Sequence, residues 1–430
     1  MNCDILREDI NKLKTLRDQF EQKANTATET GTGKIETISI QKEAEQESDQ
    51  LLEKYLDDFF DKNPDLLQFT LGKRIEGFES EDGQKAGVLS MAPLPNGNIL
   101  IGGSSGALYE CQKQLDGFYK LCSRIPTMET DTSISSIAPL PNGDMLIGSG
   151  FGLIYEYQHQ PDGSYKLKSQ GHSGIIINTI APLPNGNMLV GGGEGDSAIY
   201  EYPTDNYQLL THQEGDNVNI KTIAPLANGN MLIGGSIGTD GVLYEYQEQS
   251  DGYYYVSDAI ATITDKWGGN LGISAIAPLP NGNMLIGCLN GALYEYQQRQ
   301  NGSYELSGQI TGFKDGSYTS PNSSAPNSSH INARPKTSIN TIAPLPNGNL
   351  LIGGRIGENG ALCEYQKQPD GSYEVGSNLL DPGFYPIQSI SSLPNGNILV
   401  GGAFGELLEF SKSSKSLEIL KQSLDKIINK

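Results

Sequence analysis

The sequence predicts a mainly β protein, a seven-bladed β-propeller of four-stranded antiparallel blades with an N-terminal helical hairpin and a C-terminal helix. A segment related to APLPNGN occurs seven times, at spacings of 43 to 53 residues and one of 66, and such periods are typical of propeller blades. The composition includes 52 Gly, 22 Pro and 21 Tyr, which favours many short strands joined by tight turns. One sheet of this repeat cannot bury both of its faces, whereas seven sheets around a common axis can. The turn asparagines of the seven copies are Asn96, Asn142, Asn185, Asn228, Asn281, Asn347 and Asn395.

Each copy is interpreted as four strands. The inner strand has the form I-x-[ST]-I-A-P-L, and its apolar residues lie three apart, which predicts a β-bulge. An Asn-Gly pair then predicts a tight turn into N-M-L-I-G-G, a strand that is apolar on both faces and therefore buried. A third strand of the form A-L-Y-E-Y-Q and an outer strand of the form S-Y-K-L complete the blade.

The ring is expected to close with a strand from the N-terminal side. Residues 69–75, FTLGKRI, resemble residues 119–125, YKLCSRI, the outer strand of the first complete copy, yet no blade precedes them. We therefore predict that residues 69–75 supply the outer strand of the last blade. The alternative is that residues 417–420 supply it.

Three domains are predicted: a helical region over residues 1–66, the propeller over 67–411 and a C-terminal helix over 412–430. Apolar residues recur at helical spacing within residues 4–23, 40–62 and 416–428. We expect these helices to pack beside the closing blade or to mediate self-association.

The repeat pattern I-x-x-I-A-x-L-x-N-G-N-x-L-I-G-G-x-x-G-x-L-Y-E-Y resembles the propeller repeat of bacterial two-component regulators, over about residues 67–410. The layout is also similar to WD-repeat scaffolds. The resemblance implies the propeller fold, and it does not by itself imply a function.

The composition of the chain argues against several kinds of partner and site. A formal net charge of -21 and a pI near 4.6 argue against nucleic acid, which the average surface would repel. No run of about 18 apolar residues is present and the first residues lack a secretory apolar core, so we expect no membrane insertion. The expected location is the cytoplasm, or a host cytosol if the protein is a bacterial effector. Five cysteines without C-x-x-C spacing indicate neither a disulfide framework nor a zinc site.

A glutamate recurs in the third strand of every copy. Seven carboxylates could suggest a metal ring, but third strands lie away from the axis, so we expect each Glu to make a structural hydrogen bond instead. The inner strands offer no nucleophile and base pair, and no metal-ligand set. We predict no catalytic residues, no metal site, no cofactor and no enzymatic activity. The seven residues are Glu110, Glu156, Glu201, Glu245, Glu295, Glu364 and Glu409.

Variation between copies concentrates in the loops between second and third strands and in the connections between blades, including insertions over residues 259–272 and 311–336. Both kinds of connection emerge on one face, and variable loops on a rigid scaffold commonly carry function. We predict a protein-interaction scaffold that binds a protein partner there; a lectin or small-ligand sensor is the alternative, and a channel hydrolase or lyase the weaker one. The candidate binding residues are Glu194, Asp196, Asp240, Asp265, Lys266, Trp267, Arg355, Glu358 and Phe404.

Overall fold

A computed structural model of the chain describes residues 69–412, apart from residues 116, 128–131, 141, 194–196, 203–209, 215–217, 249–253, 258, 265–270, 280, 300–303, 311–336, 346–347, 369–372 and 381–382. The chain divides into two compact units: Leu71–Phe410, and Met1–Thr70 with Ser411–Lys430. Three expected helices fall outside the described residues. The predicted domain boundaries therefore stay predictions.

The described part of the chain forms 29 strands. In chain order they are β1 (Phe69–Ile75), β2 (Val88–Pro93), β3 (Ile99–Gly103), β4 (Leu108–Lys113), β5 (Tyr119–Arg124), β6 (Ile134–Pro139), β7 (Met145–Ser149), β8 (Leu153–His159), β9 (Tyr165–His172), β10 (Ile176–Pro182), β11 (Met188–Gly193), β12 (Ser197–Tyr202), β13 (Leu210–Glu214), β14 (Val218–Pro225), β15 (Met231–Ile237), β16 (Asp240–Glu248), β17 (Tyr254–Val256), β18 (Ala261–Ile263), β19 (Ile273–Pro278), β20 (Met284–Cys288), β21 (Leu293–Gln298), β22 (Tyr304–Ile310), β23 (Thr337–Pro344), β24 (Leu350–Ile356), β25 (Asn359–Lys367), β26 (Tyr373–Asn378), β27 (Ile387–Ser392), β28 (Ile398–Gly402) and β29 (Leu407–Lys412).

The strands form a β-propeller of antiparallel blades. Seven sheets are described, one for each sequence repeat, and six of them have four strands while one has a fifth. We number the blades 1 to 7 by their inner strands, β2, β6, β10, β14, β19, β23 and β27. Each inner strand contacts the inner strand of the next blade, and β27 contacts β2, so the contacts run around a closed circle.

Blade 7 is assembled from both ends of the described chain. Its strand order is β1-β29-β28-β27, so Phe69–Ile75 occupies the outer position. This confirms the predicted closure by residues 69–75. The alternative outer strand, residues 417–420, lies outside the described residues.

Every inner strand contains the predicted bulge. In all seven blades the pairing of inner and second strands skips one residue, as between Ile177 and Thr179 or between Ile339 and Thr341. The bulge explains why apolar residues three apart can both face the core.

Small residues let adjacent blades approach closely. A Cβ added to Gly287 in the second strand of blade 5 would lie 2.5 Å from Cγ2 of Ile339 in blade 6. An equivalent contact occurs at each blade boundary, including Gly401 against Val88 at the closure. The buried apolar clusters accordingly combine residues of neighbouring blades, such as Leu232 of blade 4 with Ile286 of blade 5. The core therefore lies between the sheets.

Candidate functional site

The two ends of the propeller carry different structures. Turns between first and second strands and between third and fourth strands emerge at one end, here called the turn face. Turns between second and third strands and the connections between blades emerge at the other end, here called the loop face.

The turns on the turn face share one hydrogen-bonding arrangement. In the first turn of blade 1 the side chain of Asn96 accepts a hydrogen bond from the amide of Asn98 at 3.0 Å, and Gly97 has a φ of 85°. The Asn98 side chain then donates to Glu110 at 2.6 Å. An Asn-to-Glu bond of this kind occurs in six blades, so the prediction that the repeated glutamates are structural is confirmed.

Exposed apolar side chains concentrate on the loop face. Eight large apolar side chains of the described residues are exposed. Two of these lie on outer strands, Leu71 and Tyr255, and one lies on the turn face, Leu115. Ile260 lies at the outer edge of blade 4, where its amide donates to the carbonyl of Leu243 in β16. The other four are on the loop face: Phe151, Ile237, Tyr385 and Phe404.

Two of these four side chains form a pair, here called the aromatic patch. Tyr385 lies in the connection from blade 6 to blade 7, and Phe404 lies in the turn between β28 and β29. Their ring centroids are 4.4 Å apart, and the side chains are 47% and 55% exposed. Contiguous exposed apolar surface of this kind can mark a binding site.

The backbone around the aromatic patch is held by hydrogen bonds between blades. The amide of Gly360, in the β24–β25 hairpin, donates to the carbonyl of Phe384 at 2.6 Å. The amide of Ala403 donates to the carbonyl of Pro386 at 3.0 Å. The segments before and after Tyr385 are thus fixed to blades 6 and 7.

A hairpin between β1 and β2 stands beside the aromatic patch. Phe78 at its base is buried in the core between blades 7 and 1, and its carbonyl lies against Gly405. The backbones of Glu79 and Lys85 form an antiparallel β-bridge across the hairpin. Its tip exposes Glu81 and Asp82.

Charged side chains around the aromatic patch are mostly acidic. Segments 74–87, 355–360, 383–386 and 403–406 contain six carboxylates and three cationic side chains. The acidic rim, as we call the carboxylates, comprises Glu76, Glu79, Glu81, Asp82, Glu358 and Glu406. The cationic side chains are Arg74, Lys85 and Arg355.

Three predicted binding residues belong to this region: Arg355, Glu358 and Phe404. Phe404 is half of the aromatic patch, and Glu358 is exposed at the tip of the β24–β25 hairpin. The sequence interpretation placed Arg355 in a loop, but it pairs with Gly360 inside the hairpin because β24 and β25 continue beyond their repeat equivalents.

Asp240 was also predicted to lie in a loop, and the structure places it in a strand instead. It pairs with Ile237 at the end of the β15–β16 hairpin of blade 4, away from the aromatic patch. Glu194, Asp196, Asp265, Lys266 and Trp267 lie outside the described residues.

The insertion around Trp267 is attached to blade 4. Its residues 261–263 form β18, which pairs with Gly241, Val242 and Leu243 of β16. Leu271, at the other end of the insertion, is buried and donates its amide to Thr239 at 2.8 Å. Both ends of the predicted insertion over residues 259–272 are therefore held by blade 4.

Sequence reasoning did not select Tyr385. It lies in a connection that has no equivalent in the repeat, and one aromatic residue there gives no periodic signal. The run Phe384-Tyr385-Pro386 was the available indication, because adjacent aromatic residues in a connection require either burial or a binding role.

The inner strands use much of their polar chemistry for assembly. The bulged Asn178 and Asn340 donate to the carbonyls of Ile220 and Ile387 in the next blades, each at 2.7 Å. The bulged Ser135 and Ser274 make the same contact with Ile177 and Ile339. The seven inner strands, all of which are described, contain Lys221 and no Asp, Glu or His.

Other reactive groups offer little within the described ranges. No group of three or more His, Cys, Asp or Glu side chains there could hold a metal ion. Burial raises the pKa of the Cys288 thiol to about 12 and that of Cys363 to about 11. These thiols are therefore protonated and unreactive near neutral pH.

Comparison with known proteins defines the class. No protein-family model and no curated protein sequence matches the chain. Among solved structures, virginiamycin B lyase from Staphylococcus aureus, determined as an inactive variant with quinupristin, matches with a TM-score of 0.56 at 10% identity, covering 80% of this chain and 100% of the lyase. The extracellular domain of a hybrid two component system from B. thetaiotaomicron matches at 0.55 and 18% identity, covering 80% of this chain and 39% of that one.

The WD40 β-propeller domain of Doa1 matches with a TM-score of 0.56 at 13% identity, covering 81% of this chain and 98% of that domain. At these identities the likeness shows the fold, so the chain is a β-propeller repeat protein that resembles both two-component and WD40 propellers. Among the described residues, no helix is long and apolar enough to cross a membrane.

Proposed function

We propose that the chain is a non-enzymatic interaction module that binds a protein partner through its loop face. The observation that carries the proposal is the placement of four of the eight exposed large apolar side chains on that face, against one on the turn face. Large apolar and aromatic side chains supply most of the free energy in protein interfaces. The WD40 propellers among the structural matches are compatible with this role.

The inner strands support a non-enzymatic role. Acid–base chemistry in a central channel needs a titratable side chain near neutral pH, and Lys221 is the one ionisable residue in the inner strands. The lyases among the structural matches share the fold at 10 to 12% identity. That level of likeness supplies no argument for a shared activity.

In this proposal the seven sheets are the complete set of blades, and residues 1–66 and 412–430 form helices that add a second contact surface. The proposed location is a cytosol, either of the source cell or of a host. Intramolecular crosslinks confined to residues 67–411 would count against packing of the helices on the propeller.

The test compares capture of proteins from a native cell extract by the full chain and three variants. One variant carries Tyr385→Ala with Phe404→Ala, and a second carries Phe151→Ala on a distant part of the loop face. The control, Leu115→Ala, removes a fully exposed apolar side chain from the turn face. All four side chains are exposed, so the variants should fold alike.

We expect a stoichiometric protein partner that the unchanged chain and Leu115→Ala retain and at least one loop-face variant loses. Loss with Leu115→Ala alone would contradict the proposal. Binding to a glycan array without any protein partner would favour the lectin alternative.

A further inference from the structure

The aromatic patch exposes parts of two aromatic rings to solvent. Tyr385 and Phe404 are each about half exposed, so part of each ring is available for contact. The face of an aromatic ring carries negative potential and attracts Lys and Arg side chains, whose stems also pack on apolar surface.

The same region of the molecule already contains such a contact. The guanidinium of Arg74 lies 5.3 Å from the ring centroid of Phe384, the residue before Tyr385. On the turn face, Lys73 lies 5.4 Å from the ring centroid of Phe118. The Arg74 contact shows that a cation is accepted on the aromatic ring beside Tyr385.

The acidic rim determines the sign of charge that the region attracts. Six carboxylates outnumber three cationic side chains there, and Glu76, Glu81, Asp82 and Glu358 are exposed. Glu406 lies directly beside the patch, since its carboxylate accepts a hydrogen bond from the amide of Phe404 at 3.2 Å. The net charge of -21 adds a long-range attraction for positive ligands.

The patch is also preorganised. Hydrogen bonds fix the segments around Tyr385 to blades 6 and 7, and buried Phe78 anchors the acidic hairpin to the core. A surface that is ordered before binding loses little conformational entropy when a ligand binds.

We infer that the aromatic patch binds a basic segment of the protein partner, with an Arg or Lys side chain lying on the rings of Tyr385 and Phe404 and neighbouring positive charges facing the acidic rim. This inference rests on the proposed function and specifies the chemistry of the partner.

The experiment uses the full chain as immobilised bait and a displayed library of random short peptides as the probe. We expect the selected peptides to be enriched in Arg and Lys relative to the input library. A synthetic copy of a selected peptide should bind the variant carrying Tyr385→Ala with Phe404→Ala about tenfold more weakly. Binding should weaken as salt is raised, because exposed charges are screened.

Three further variants separate ring chemistry from apolar bulk and local charge from net charge. Phe404→Leu keeps an apolar side chain but removes the ring, so we expect it to weaken binding severalfold. Glu358→Lys should slow association, whereas Glu374→Lys, with the same change in net charge on the distant outer strand β26, should not.

The inference is overturned if the selected peptides are not basic, if none is selected, or if Phe404→Leu and Glu358→Lys bind like the unchanged chain. The proposed function fails separately. If Phe151→Ala releases the captured partner while no basic peptide is selected, the loop face binds a protein but the aromatic patch does not bind a basic segment.

Discussion

Blade 2 shows how one residue of a repeat changes the partner of another. Its first turn has Asp144 where the other six copies have Asn, and a carboxylate cannot donate to Glu156. Lys168 takes over, with its ammonium 2.8 Å from Glu156 and 4.0 Å from Asp144. Both carboxylates are buried, and the Lys168 side chain is 37% exposed.

Lys168→Met should therefore destabilise blade 2, because it leaves two buried carboxylates close together without a cation. We expect a loss of about 1–3 kcal/mol in the free energy of unfolding, less than for a fully buried pair because water screens part of the interaction. Urea unfolding followed by circular dichroism measures this loss. Adding Asp144→Asn restores the Asn-to-Glu bond and should recover most of it; no recovery would refute the account.

The cysteines allow a second test at this scale. Burial raises the pKa of the Cys111 thiol to about 12, as it does for Cys288, while Cys122 is exposed. In a Cys3→Ser background at about pH 8, we expect a thiol reagent to label Cys122 rapidly and the three buried thiols only on unfolding. Rapid labelling of more than one thiol would show that the blades open.

The buried thiols also set an alkaline limit on stability. An unfolded thiol has a pKa of about 8.5, so the folded state binds the proton more tightly. The resulting stabilisation is complete below that pH and is lost as the pH rises toward the folded-state pKa near 12.

At the scale of elements, β1 is the test of closure. Ile75 is 4% exposed within the apolar cluster between blades 7 and 1, whereas Leu71 on the same strand is 45% exposed. Ile75→Ala should lower the free energy of unfolding by about 2–5 kcal/mol, and Leu71→Ala by less than about 0.5 kcal/mol. Equal effects in a denaturation series would argue that β1 is not the closing strand.

The elements show what the sequence could and could not predict. The closing strand was predictable because residues 69–75 resemble an outer strand that has no blade of its own. β18 was not, because its residues 261–263 have no sequence likeness to the repeat, although they pair with β16 at the positions where the end of outer strand β9 pairs with β8 in blade 2. The long β15–β16 and β24–β25 hairpins were missed for a related reason: their extensions contain glycines, which the sequence interpretation took as loop signals.

At the scale of the molecule, the boundary between blades 7 and 1 tests whether the ring is closed. A Cβ at Gly401 would lie 2.3 Å from Cγ1 of Val88 across that boundary, whereas a Cβ at Gly171 would meet no atom within 4 Å. Gly401→Ala should cost about 1–3 kcal/mol of stability and Gly171→Ala should cost none. If both variants unfold at the urea midpoint of the unchanged chain, blades 7 and 1 are not in contact.

The ring was predictable from the repeats, but its aromatic patch was not. The count and spacing of copies imply sheets around an axis, whatever their loops contain. The aromatic patch and its surroundings combine residues 355–360, 384–386 and 403–406 of blades 6 and 7 with the hairpin 78–86, which joins them only when the ring closes. Phe404 could be selected as an exposed loop residue, but its pairing with Tyr385 depends on the register of β27 and β28, in which Ile387 pairs with Gly402 and the amide of Ala403 donates to the carbonyl of Pro386.

The position of β1 also imposes an order on assembly. During translation this strand is made before any blade, whereas β29, the strand it pairs with, is among the last described segments to leave the ribosome. Blades 1 to 6 can each form from continuous chain as it emerges, while blade 7 has to wait for synthesis of the residues in between, on the order of tens of seconds. Throughout that interval the apolar faces of the first blade and of the most recently formed blade have no neighbouring blade to cover them. A chaperone or a second nascent copy can reach these faces.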